Sequence, residues 1–436
     1  MRQDAAADAV IIGAGIMGCS IALALGRRGL HVAVIDRLPA AGYGSTSFSS
    51  AIIRPYYSTW EGCALAWENH FHWQNWRAFV EAEETAEVAR YIECGCLVLR
   101  NASDRFSTRT LDLMQQLGVP CELLGTDALR AEHPGIDVAS FQPVRRIDDP
   151  LFGNRAEDPL IGALKVPGGY INDPQLAARN LQAAAEAHGA RFRFRAEVTA
   201  IRRAGGAVEG VTLADGSRVD SPVVINAGGP FSTAGNRLAG EDVLAGMQVT
   251  MRALRNEVAY LDAPPGLSGE AARVISDGDS GVYMRPEAGD RLVVGSQEPP
   301  CDALEWVEPD ALDGNFTDQW TNQVWRAALR FPDLRIPNTA AGIVALYDVS
   351  SDWIPIYDRS DLPGYFMAVG TSGNQLKNAP MVGELMASLV EYVTAGGDHD
   401  TQPLVFTLPR LGLPLNLGFF SRRRAPSAES SNTVCG

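Results

Sequence analysis

The chain has 436 residues, of which 46% are hydrophobic and 20% charged, and it carries a formal net charge of -15. This length and composition predict a folded protein of two or three domains. Because such an acidic surface repels phosphate, the charge excludes nucleic acid and anionic membrane surfaces as main partners and leaves small molecules. The 7 cysteines lack the spacing of a disulfide framework, which favours a reducing cytoplasm. No CxxC pair or clustered histidines accompany them, so we predict no metal site.

The first predicted unit binds a dinucleotide through residues 9–37. Ala9–Ile12 is an apolar run without a polar face, which is typical of a strand buried on both sides. Glycines follow at the GxGxxG spacing, at Gly13, Gly15 and Gly18. They allow a tight turn, a close approach of the backbone to a pyrophosphate, and close packing of the next helix, predicted at 16–28. The N-terminus of that helix attracts phosphate.

An acidic residue follows the second predicted strand, at 31–35. Asp36 lies 18 residues after Gly18, where its carboxylate can accept both hydroxyls of an adenosine ribose and repel a 2′-phosphate. The alternative is a secretory signal or a membrane span, because residues 9–25 are nearly uncharged. The preceding MRQDAAAD carries two aspartates and one arginine, and the apolar run is too short to span a bilayer, so we favour the dinucleotide site.

A small, hydroxyl-rich segment, AAGYGSTSFSS, ends at Ser50 and predicts a loop against a ligand. Arg54 follows, between the apolar residues 51–53 and the pair Tyr56 and Tyr57. An arginine in that setting is at least partly enclosed, and an enclosed guanidinium needs an anion. That anion is either a ligand or, in the alternative interpretation, the partner in a structural salt bridge.

The next elements mix helices and strands. Aromatic residues at helical spacing predict a long helical stretch at 62–90 with its rings in the core. Asp173 and Pro174 predict the start of another helix, which Gly189 ends. The other predictions here are a strand at 96–99, a helix at 108–117, a loop at 139–159, and strands at 190–200, 210–213 and 222–226. The last strand runs into AGG at 227–229, which predicts a second close approach of the backbone to the dinucleotide.

The pattern then changes to short antiparallel strands. These are predicted at 249–254, 257–261, 281–285 and 292–295, followed by a helix at 320–329. Strands at 342–347, 354–357 and 365–369 come next, and the last of them leads through GTSGNQLKNAP into a helix at 380–394. The chain beyond Gly396 lacks a regular pattern, and we predict a mobile tail at 396–436.

Five blocks in this order carry a family resemblance: the glycine fingerprint, Arg54 after the serine-rich loop, GGYINDPQLAARNL, VVINAGG and VGTSGNQLKNAP. The chain resembles the D-amino-acid oxidase superfamily of flavoproteins, in the group of glycine oxidase, sarcosine oxidase and dimethylglycine dehydrogenase. The resemblance implies FAD and an α/β fold in which two domains interleave. A Rossmann-like FAD-binding domain would comprise 1–83, 165–245 and 340–395. An α+β substrate domain with an antiparallel sheet would comprise 84–164 and 246–339.

The resemblance also assigns site residues, position by position. The ADP part of FAD would be held by Gly13, Gly15, Gly18, Asp36 and the adjoining Arg37, with the backbone of Val198 at the adenine. The pyrophosphate and the flavin would be lined by Ser45, Thr46, Ser47, Ser49, Ser50, Gly228, Gly373, Asn374, Gln375, Leu376 and Lys377. Arg54 and Lys377 would hold a substrate carboxylate, and Tyr283 and Tyr347 would lie near the substrate. The alternative for Lys377 is a structural lysine that caps nearby backbone carbonyls. The N-terminus of the helix at 380–394 would stabilise negative charge on the reduced flavin.

Three positions depart from sarcosine oxidase. Ala345 stands where that enzyme has the cysteine that bonds to FAD, so the resemblance implies noncovalent FAD here. Val293 aligns with a lysine credited with activating oxygen, and Gln297 with a histidine on the substrate side. Oxygen and another electron acceptor therefore both stay open.

The expected reaction is oxidation of the C–N bond of a small amino acid or an N-methyl (secondary) amino acid. A hydride would pass to flavin N5, and the resulting imine would hydrolyse. One alternative is a dehydrogenase of an amino or 2-hydroxy acid that passes electrons to a quinone or a carrier protein. Another is a flavin-bearing relay subunit. A homo-oligomer or a partner subunit stays open, and we expect no nucleic-acid binding and no stable membrane insertion.

Overall fold

The computed structural model describes residues 6–269 and 272–436. The α-helices in these ranges are α1 (Ile16–Arg27), α2 (Trp60–Gln74), α3 (Trp76–Phe79), α4 (Arg105–Gln116), α5 (Thr126–Glu132), α6 (Pro174–Ala187), α7 (Ser232–Ala239), α8 (Glu241–Ala245), α9 (Asp318–Arg330) and α10 (Ala379–Thr394). In this described part of the chain, no helix has both the length and the apolar composition that a membrane crossing requires.

The β-strands follow one another along the whole chain. They are β1 (Ala9–Ile12), β2 (Val32–Ile35), β3 (Ile52–Ile53), β4 (Tyr91–Ile92), β5 (Cys96–Arg100), β6 (Glu122–Leu124), β7 (Gly162–Val166), β8 (Gly169–Ile171), β9 (Arg191–Arg193), β10 (Val198–Ala204), β11 (Ala207–Leu213), β12 (Arg218–Asp220), β13 (Val224–Asn226), β14 (Met251–Asp262), β15 (Val274–Asp277), β16 (Val282–Glu287), β17 (Arg291–Ser296), β18 (Gly342–Ser350), β19 (Ile356–Arg359), β20 (Tyr365–Val369), β21 (Val405–Thr407) and β22 (Pro414–Asn416). The α/β class is the one that the sequence predicts.

A largely parallel sheet contains the first predicted unit. Its strand order is β19-β20-β13-β1-β2-β9, and only the edge pair β19 and β20 is antiparallel. The central strand β1 is buried on both sides, since Ile11 packs into one hydrophobic cluster and Val10 into another. Helix α1 lies against α10, where Ser20 Oγ donates a hydrogen bond of 2.6 Å to the Ala379 carbonyl. The predicted buried strand and glycine-flanked helix are confirmed.

A second large sheet, mostly antiparallel, has the order β18-β14-β17-β16-β15-β5-β7-β6. One of its faces packs against α9 in a separate hydrophobic cluster. The two strands predicted at 249–254 and 257–261 are in fact the single strand β14. Arg255 and Asn256 separated the two predicted strands. Arg255 Nη1 lies 2.5 Å from the buried carboxylate of Glu257, which also accepts the Thr317 N–H at 2.8 Å. Those partners allow the charged residues to continue the strand through the interior.

The helical stretch predicted at 62–90 is only partly correct. Helix α2 ends at Gln74, the short α3 ends at Phe79, and residues 80–90 have no helix. The side chain of Asn180 in α6 explains the break, because its Oδ1 accepts hydrogen bonds from Ala89 N at 2.9 Å and from Trp76 Nε1 at 3.2 Å. Residue 89 therefore bonds to α6 instead of to a turn of helix.

The mobile tail predicted at 396–436 is wrong. This part contains β21 and β22 and packs against the rest of the chain. Arg422 is completely buried and pairs with Asp358, Asp361 and Asp400 at 3.0, 2.6 and 2.8 Å. Arg424 pairs with Asp352 at 2.8 Å. Buried ion pairs with distant carboxylates hold this segment, and no local pattern in the sequence reports them.

Candidate functional site

The turn after β1 brings backbone atoms close together. Gly13 has φ +106, and a Cβ added there would lie 2.4 Å from the Ala227 carbonyl oxygen. A Cβ on Gly18 would lie 1.9 Å from the Gly13 oxygen. Near Gly15 the only comparable atom is Thr46 Oγ1, at 3.4 Å, and the first turn of α1 has no acidic residue. The first turn of α1 itself therefore adds no negative charge, and the helix N-terminus fits a phosphate group.

The carboxylate of Asp36 is fixed beside this turn. Its Oδ2 accepts the Ala14 N–H at 2.6 Å, and its Oδ1 accepts the Leu38 N–H at 2.7 Å. Burial raises the pKa of Asp36, and the two N–H groups act in the opposite direction. Each oxygen keeps a further lone pair for a ribose hydroxyl.

Two other predicted cofactor residues flank Asp36. The Ala196 N–H donates to the Asp36 carbonyl at 3.0 Å, which places the start of β10, Val198, beside it. Arg37 points elsewhere: its guanidinium lies 3.7 Å from the centre of the Phe231 ring and 3.1 Å from the Asp310 carboxylate. Within the described chain, these two contacts explain the position of the Arg37 side chain without a cofactor. The cofactor role of Arg37 therefore stays a prediction.

The serine-rich loop extends from the N-terminus of α1 to the antiparallel sheet. Thr46 Oγ1 accepts the Ile16 N–H at 3.1 Å, at the start of α1. Ser45 Oγ donates to the Leu346 carbonyl at 2.9 Å, and Ser50 Oγ lies 2.8 Å from the Tyr283 hydroxyl.

Two further serines bond within this loop. Ser47 Oγ donates to the Gly44 carbonyl at 2.9 Å, and Ser49 Oγ accepts the Ala51 N–H at 3.0 Å. These bonds hold the loop in one conformation along its path between the two sheets. A cofactor that extends from the helix to the second sheet would follow the same path.

The predicted second approach at 227–229 adjoins the first turn. The Ala227 oxygen is the nearest atom to a Cβ added at Gly13. The Gly228 N–H donates to Asn226 Oδ1 at 3.0 Å. Asn226 also donates to Asn236 Oδ1 at 2.7 Å. Side-chain hydrogen bonds thus fix the second turn, and the two turns meet at one edge of the sheet.

The loop at 370–378 is held by a residue that was not predicted. Asp348 Oδ2 accepts the Gly370 N–H at 2.7 Å, and burial raises the pKa of Asp348 to about 7. Further along, Gln375 Oε1 accepts from Tyr357 at 3.0 Å and from Asn378 at 2.7 Å. Gly373 lies under the ring of Tyr347, which a Cβ would approach to 2.6 Å. The amide side chains of this loop therefore serve largely to shape it.

Lys377 is enclosed, with 3% of its surface exposed. Its Nζ donates to the Tyr57 hydroxyl at 2.8 Å and to the Asn374 carbonyl at 2.5 Å. Burial, and then the positive charge of Arg54, hold the pKa of Lys377 well below its usual value. Within residues 6–269 and 272–436, no carboxylate makes an ion pair with this lysine. A bound anion would relieve both effects.

Arg54 is 7% exposed and lies between aromatic rings, as predicted. Its guanidinium carbon is 4.7 Å from the centre of the Tyr56 ring and 4.6 Å from that of Tyr57. Nη1 donates to the Tyr56 carbonyl, and Nη2 donates to the Val434 carbonyl at 2.8 Å. Among the described residues Arg54 has only uncharged oxygens as hydrogen-bond partners. The salt-bridge alternative therefore finds no partner in that part of the chain.

The two predicted tyrosines lie together on the face of the antiparallel sheet opposite α9. Tyr283 bonds to Ser50 and is also a hydrogen-bond partner of Tyr347. Burial raises the pKa of both hydroxyls. Ala345 lies two residues before Tyr347 on β18 and shares its face. The structure thus brings Tyr283, Tyr347 and the serine-rich loop to one place.

Residues 430–436, which we call the inserted segment, reach the same region and were not predicted to do so. The Val434 N–H donates to Glu298 Oε2 at 2.9 Å, while its carbonyl accepts from Arg54. The Gly436 carbonyl accepts from the Ser58 hydroxyl. Burial raises the pKa of Glu298 to about 8. A single acid after a strand gives no signal of such a role in the sequence.

A cavity of about 390 Å³ opens beside this region. Asn256, Glu298, Thr317 and Gln319 are among its lining residues, so Glu298 lies between the cavity and the inserted segment. In the described residues, no group of three or more His, Cys, Asp or Glu side chains is placed to hold a metal ion.

Residues 8–389 match the family described as DAO, FAD dependent oxidoreductase. This match covers most of the chain, and the chain therefore belongs to that family. The FAD for which the family is named fits the residues present: the α1 N-terminus suits its phosphates, Asp36 suits its ribose, and the serine-rich loop leads from there to Tyr283.

Curated relatives fall in the same group. Glycine oxidase of Geobacillus kaustophilus is 24% identical over 398 residues, covering 88% of this chain and 93% of that protein. Human mitochondrial sarcosine dehydrogenase is 25% identical over 84% of this chain and 37% of its own length. D-Amino acid dehydrogenase of Xanthobacter autotrophicus is 27% identical over 52% of this chain and 61% of its own. The chain thus matches less than two thirds of the latter two relatives.

Solved structures show the same fold. L-Proline dehydrogenase from P. horikoshii superposes with a TM-score of 0.74 at 19% identity, covering 97% of this chain and 98% of that one. Glycine oxidase from Geobacillus kaustophilus has a TM-score of 0.70 at 20% identity, covering 91% and 98%. The predicted family, fold class and FAD are confirmed, whereas the domain boundaries and the roles of single site residues stay predictions.

Proposed function

We propose that this FAD-dependent oxidoreductase oxidises the C–N bond of a small amino acid or an N-methyl amino acid. The observation that carries the proposal is the pair Arg54 and Lys377, two enclosed basic side chains with no carboxylate partner among the described residues. An enclosed positive charge is costly without an anion, and a substrate carboxylate would supply one. Relatives named for glycine, sarcosine and D-amino acids support this choice of substrate class.

The reaction depends more on the orientation of the substrate than on a basic side chain of the protein. The substrate carbon beside nitrogen loses a hydride, the nitrogen lone pair forms the C=N bond, and water then hydrolyses the imine. FAD, when bound, supplies the hydride acceptor. Arg54 and Lys377 would fix the carboxylate, and the Tyr283 and Tyr347 side chains would close the opposite side and exclude water. Ala345 offers no nucleophile for a covalent link, so we propose that FAD is held noncovalently.

The test replaces each cation with an uncharged side chain of similar length. We expect Arg54→Met and Lys377→Met to keep FAD and to raise the half-saturating substrate concentration roughly ten- to a hundredfold, because a charge-assisted hydrogen bond is lost. Anaerobic bleaching of the flavin by a series of amino acids measures this. Lys165→Met is the matched control, since Lys165 is the only other lysine in the chain and pairs with Glu132 at 2.6 Å.

Two results would contradict the proposal. One is bleaching with wild-type concentration dependence in both Met variants. The other is equal reactivity of an amino acid and the amine that remains after its carboxylate is removed. Absence of bleaching by any amino or hydroxy acid would favour the relay subunit instead.

A second candidate concerns the electron acceptor, which we propose to be a quinone or a carrier protein instead of oxygen. Val293, at the position of the oxygen-activating lysine, is buried on β17 on the same face as Gly295, the cross-strand partner of Tyr283. An apolar side chain there offers no positive charge to stabilise reduced oxygen. Slow reoxidation of the bleached enzyme in air would support this candidate, and fast reoxidation would exclude it.

A further inference from the structure

The backbone of Val434 is held at both of its polar groups. Its N–H donates to Glu298 Oε2 at 2.9 Å, and its carbonyl accepts from Arg54 Nη2 at 2.8 Å. The nitrogen, the α-carbon and the carbonyl belong to one residue, so together they form the skeleton of an α-amino acid. The inserted segment therefore presents an amino-acid skeleton to the arginine that the proposed function assigns to the substrate carboxylate.

The half-buried side chain of Val434 packs against an apolar cluster, which we call the apolar pocket. Leu254, Val349 and Trp353 form the buried part of this pocket, and Tyr347 packs against it. All three substituents that distinguish an amino acid thus have separate partners: nitrogen at Glu298, carbonyl at Arg54 and side chain in the pocket.

Glu298 has no role yet in the proposed reaction. It is 8% exposed and makes no ion pair among residues 6–269 and 272–436. Its hydrogen bonds come from Val434 N and, at 3.3 Å, from Asn256 Nδ2. A substrate amine, in the neutral form whose lone pair forms the C=N bond, can replace the Val434 N–H as the donor to the Glu298 carboxyl group.

We infer that Val434 is an internal mimic of the substrate, and that Glu298 binds the substrate amine when the inserted segment withdraws. Arg54 then binds the carboxylate, and the pocket at Leu254, Val349 and Trp353 takes an apolar side chain. The inference rests on the proposed function and narrows its substrate class to aliphatic amino acids. Because Val434 has the L configuration, the same three contacts select an L-amino acid; a D-amino acid with its amine and carboxylate in place would turn its side chain out of the pocket.

The experiment compares L-valine, D-valine and 3-methylbutanoate, which is valine without its amine. The FAD-loaded full chain is bleached anaerobically by valine, and 3-methylbutanoate is added as an inhibitor of that bleaching. In Glu298→Gln we expect the half-saturating concentration of L-valine to rise roughly ten- to a hundredfold. Inhibition by 3-methylbutanoate should not weaken, because that ligand has no amine. Glu308→Gln, with an exposed side chain further along the same loop, is the matched control.

A second variant tests the mimic without changing Glu298. Val434→Gly removes the side chain that holds the inserted segment in the pocket, so L-valine and 3-methylbutanoate should both bind about tenfold more tightly than to the wild type. If Glu298→Gln no longer binds FAD, bleaching cannot report its affinity for valine. The affinities measured with Val434→Gly then decide whether the inference holds.

The inference is overturned if Glu298→Gln captures L-valine as the wild type does, if Val434→Gly leaves both affinities unchanged, or if D-valine is captured as well as L-valine. The proposed function survives each of these results as long as Arg54→Met still weakens the binding of 3-methylbutanoate. It fails separately if no amino acid bleaches the flavin.

Discussion

The two halves of the site are built in different ways. The nucleotide corner, residues 9–36, is one continuous stretch in which backbone atoms would do most of the binding: the α1 N-terminus, the turn at Gly13 and the N–H groups around Asp36. The proposed substrate region combines residues from distant parts of the chain, namely Arg54, Glu298, Lys377 and the inserted segment. A locally encoded site can be recognised from spacing, whereas a site assembled by tertiary packing can be recognised only in part.

The two halves also handle charge differently. In the nucleotide corner, the Asp36 carboxylate already has two backbone donors. In the proposed substrate region, burial and then the positive charge of Arg54 lower the pKa of Lys377, and Glu298 makes no ion pair within the described chain. The charged group of the nucleotide corner thus has hydrogen-bond donors within the protein, whereas the charged groups of the proposed substrate region have only neutral partners among the described residues. Substitutions should separate FAD binding from substrate binding accordingly.

The largest effect should come from Gly18→Ala in the nucleotide corner. The added Cβ would meet the Gly13 carbonyl oxygen at 1.9 Å, and a backbone atom cannot move aside as a flexible side chain can. Overpacking costs about 1 to 3 kcal/mol, and contact with a backbone atom puts this substitution at the upper end, so we expect FAD affinity to fall roughly a hundredfold. The flavin content of the purified protein and its titration with FAD measure this.

Gly314→Ala is the control, because no atom lies within 4 Å of a Cβ added at that position. It should keep the wild-type flavin content. Normal FAD binding by Gly18→Ala would show that the turn tolerates side chains and that the distinction between the two halves is wrong.

The sequence predicts the nucleotide corner well because its determinants are short-range. The strand Ala9–Ile12, the glycine spacing and Asp36 lie within one βαβ unit. Arg54 and Lys377 are recognisable as unusual, one by its aromatic surroundings and one by the scarcity of lysine. That they lie close enough for one to lower the pKa of the other is seen only in the structure.

The remaining site residues depend on long-range packing. Asp348 and Glu298 are single acids at the ends of strands, and their burial results from a loop at 370–372 and from the inserted segment. The segment itself is small and polar, which is typical of a mobile tail. The ordered position of this segment depends on Arg422 and Arg424. Their carboxylate partners lie more than 60 positions earlier in the chain, except for Asp400.

A smaller effect should appear in the pH dependence of stability through Asp348. Its pKa is about 7 in the folded chain, above the ordinary value of 3.8. Between these values the folded state binds a proton that the unfolded state has lost, so the free energy of unfolding falls as pH rises towards 7. We expect a fall of about 2 kcal/mol between pH 5 and 7, at up to about 1.4 kcal/mol per pH unit. Denaturant unfolding of the FAD-loaded protein at several pH values measures it.

Asp348→Asn should lose this part of the pH dependence, because the amide does not titrate but still offers an oxygen to the Gly370 N–H. Glu298, with its pKa raised to about 8, contributes a slope of the same sign in both proteins, so the difference isolates Asp348. Asp262→Asn, at the exposed end of β14, is the control. Equal slopes in the wild type and Asp348→Asn would mean that Asp348 is ionised throughout this range.

The smallest effect should come from Thr46→Val, which tests one side chain of the nucleotide corner. Thr46 Oγ1 accepts the Ile16 N–H at 3.1 Å and adjoins Gly15, so valine keeps the shape but removes the hydroxyl. The freed N–H can still reach a phosphate oxygen, and the loss should be limited to one neutral hydrogen bond of about 1 kcal/mol. We expect roughly fivefold weaker binding when FAD is titrated into the apoprotein.

Thr108→Val is the control, because Thr108 is an exposed residue of α4 whose hydroxyl bonds within its own helix turn. A loss as large as that of Gly18→Ala would show that side chains contribute as much as the backbone to this half of the site, and an unchanged affinity would place Thr46 away from the phosphates.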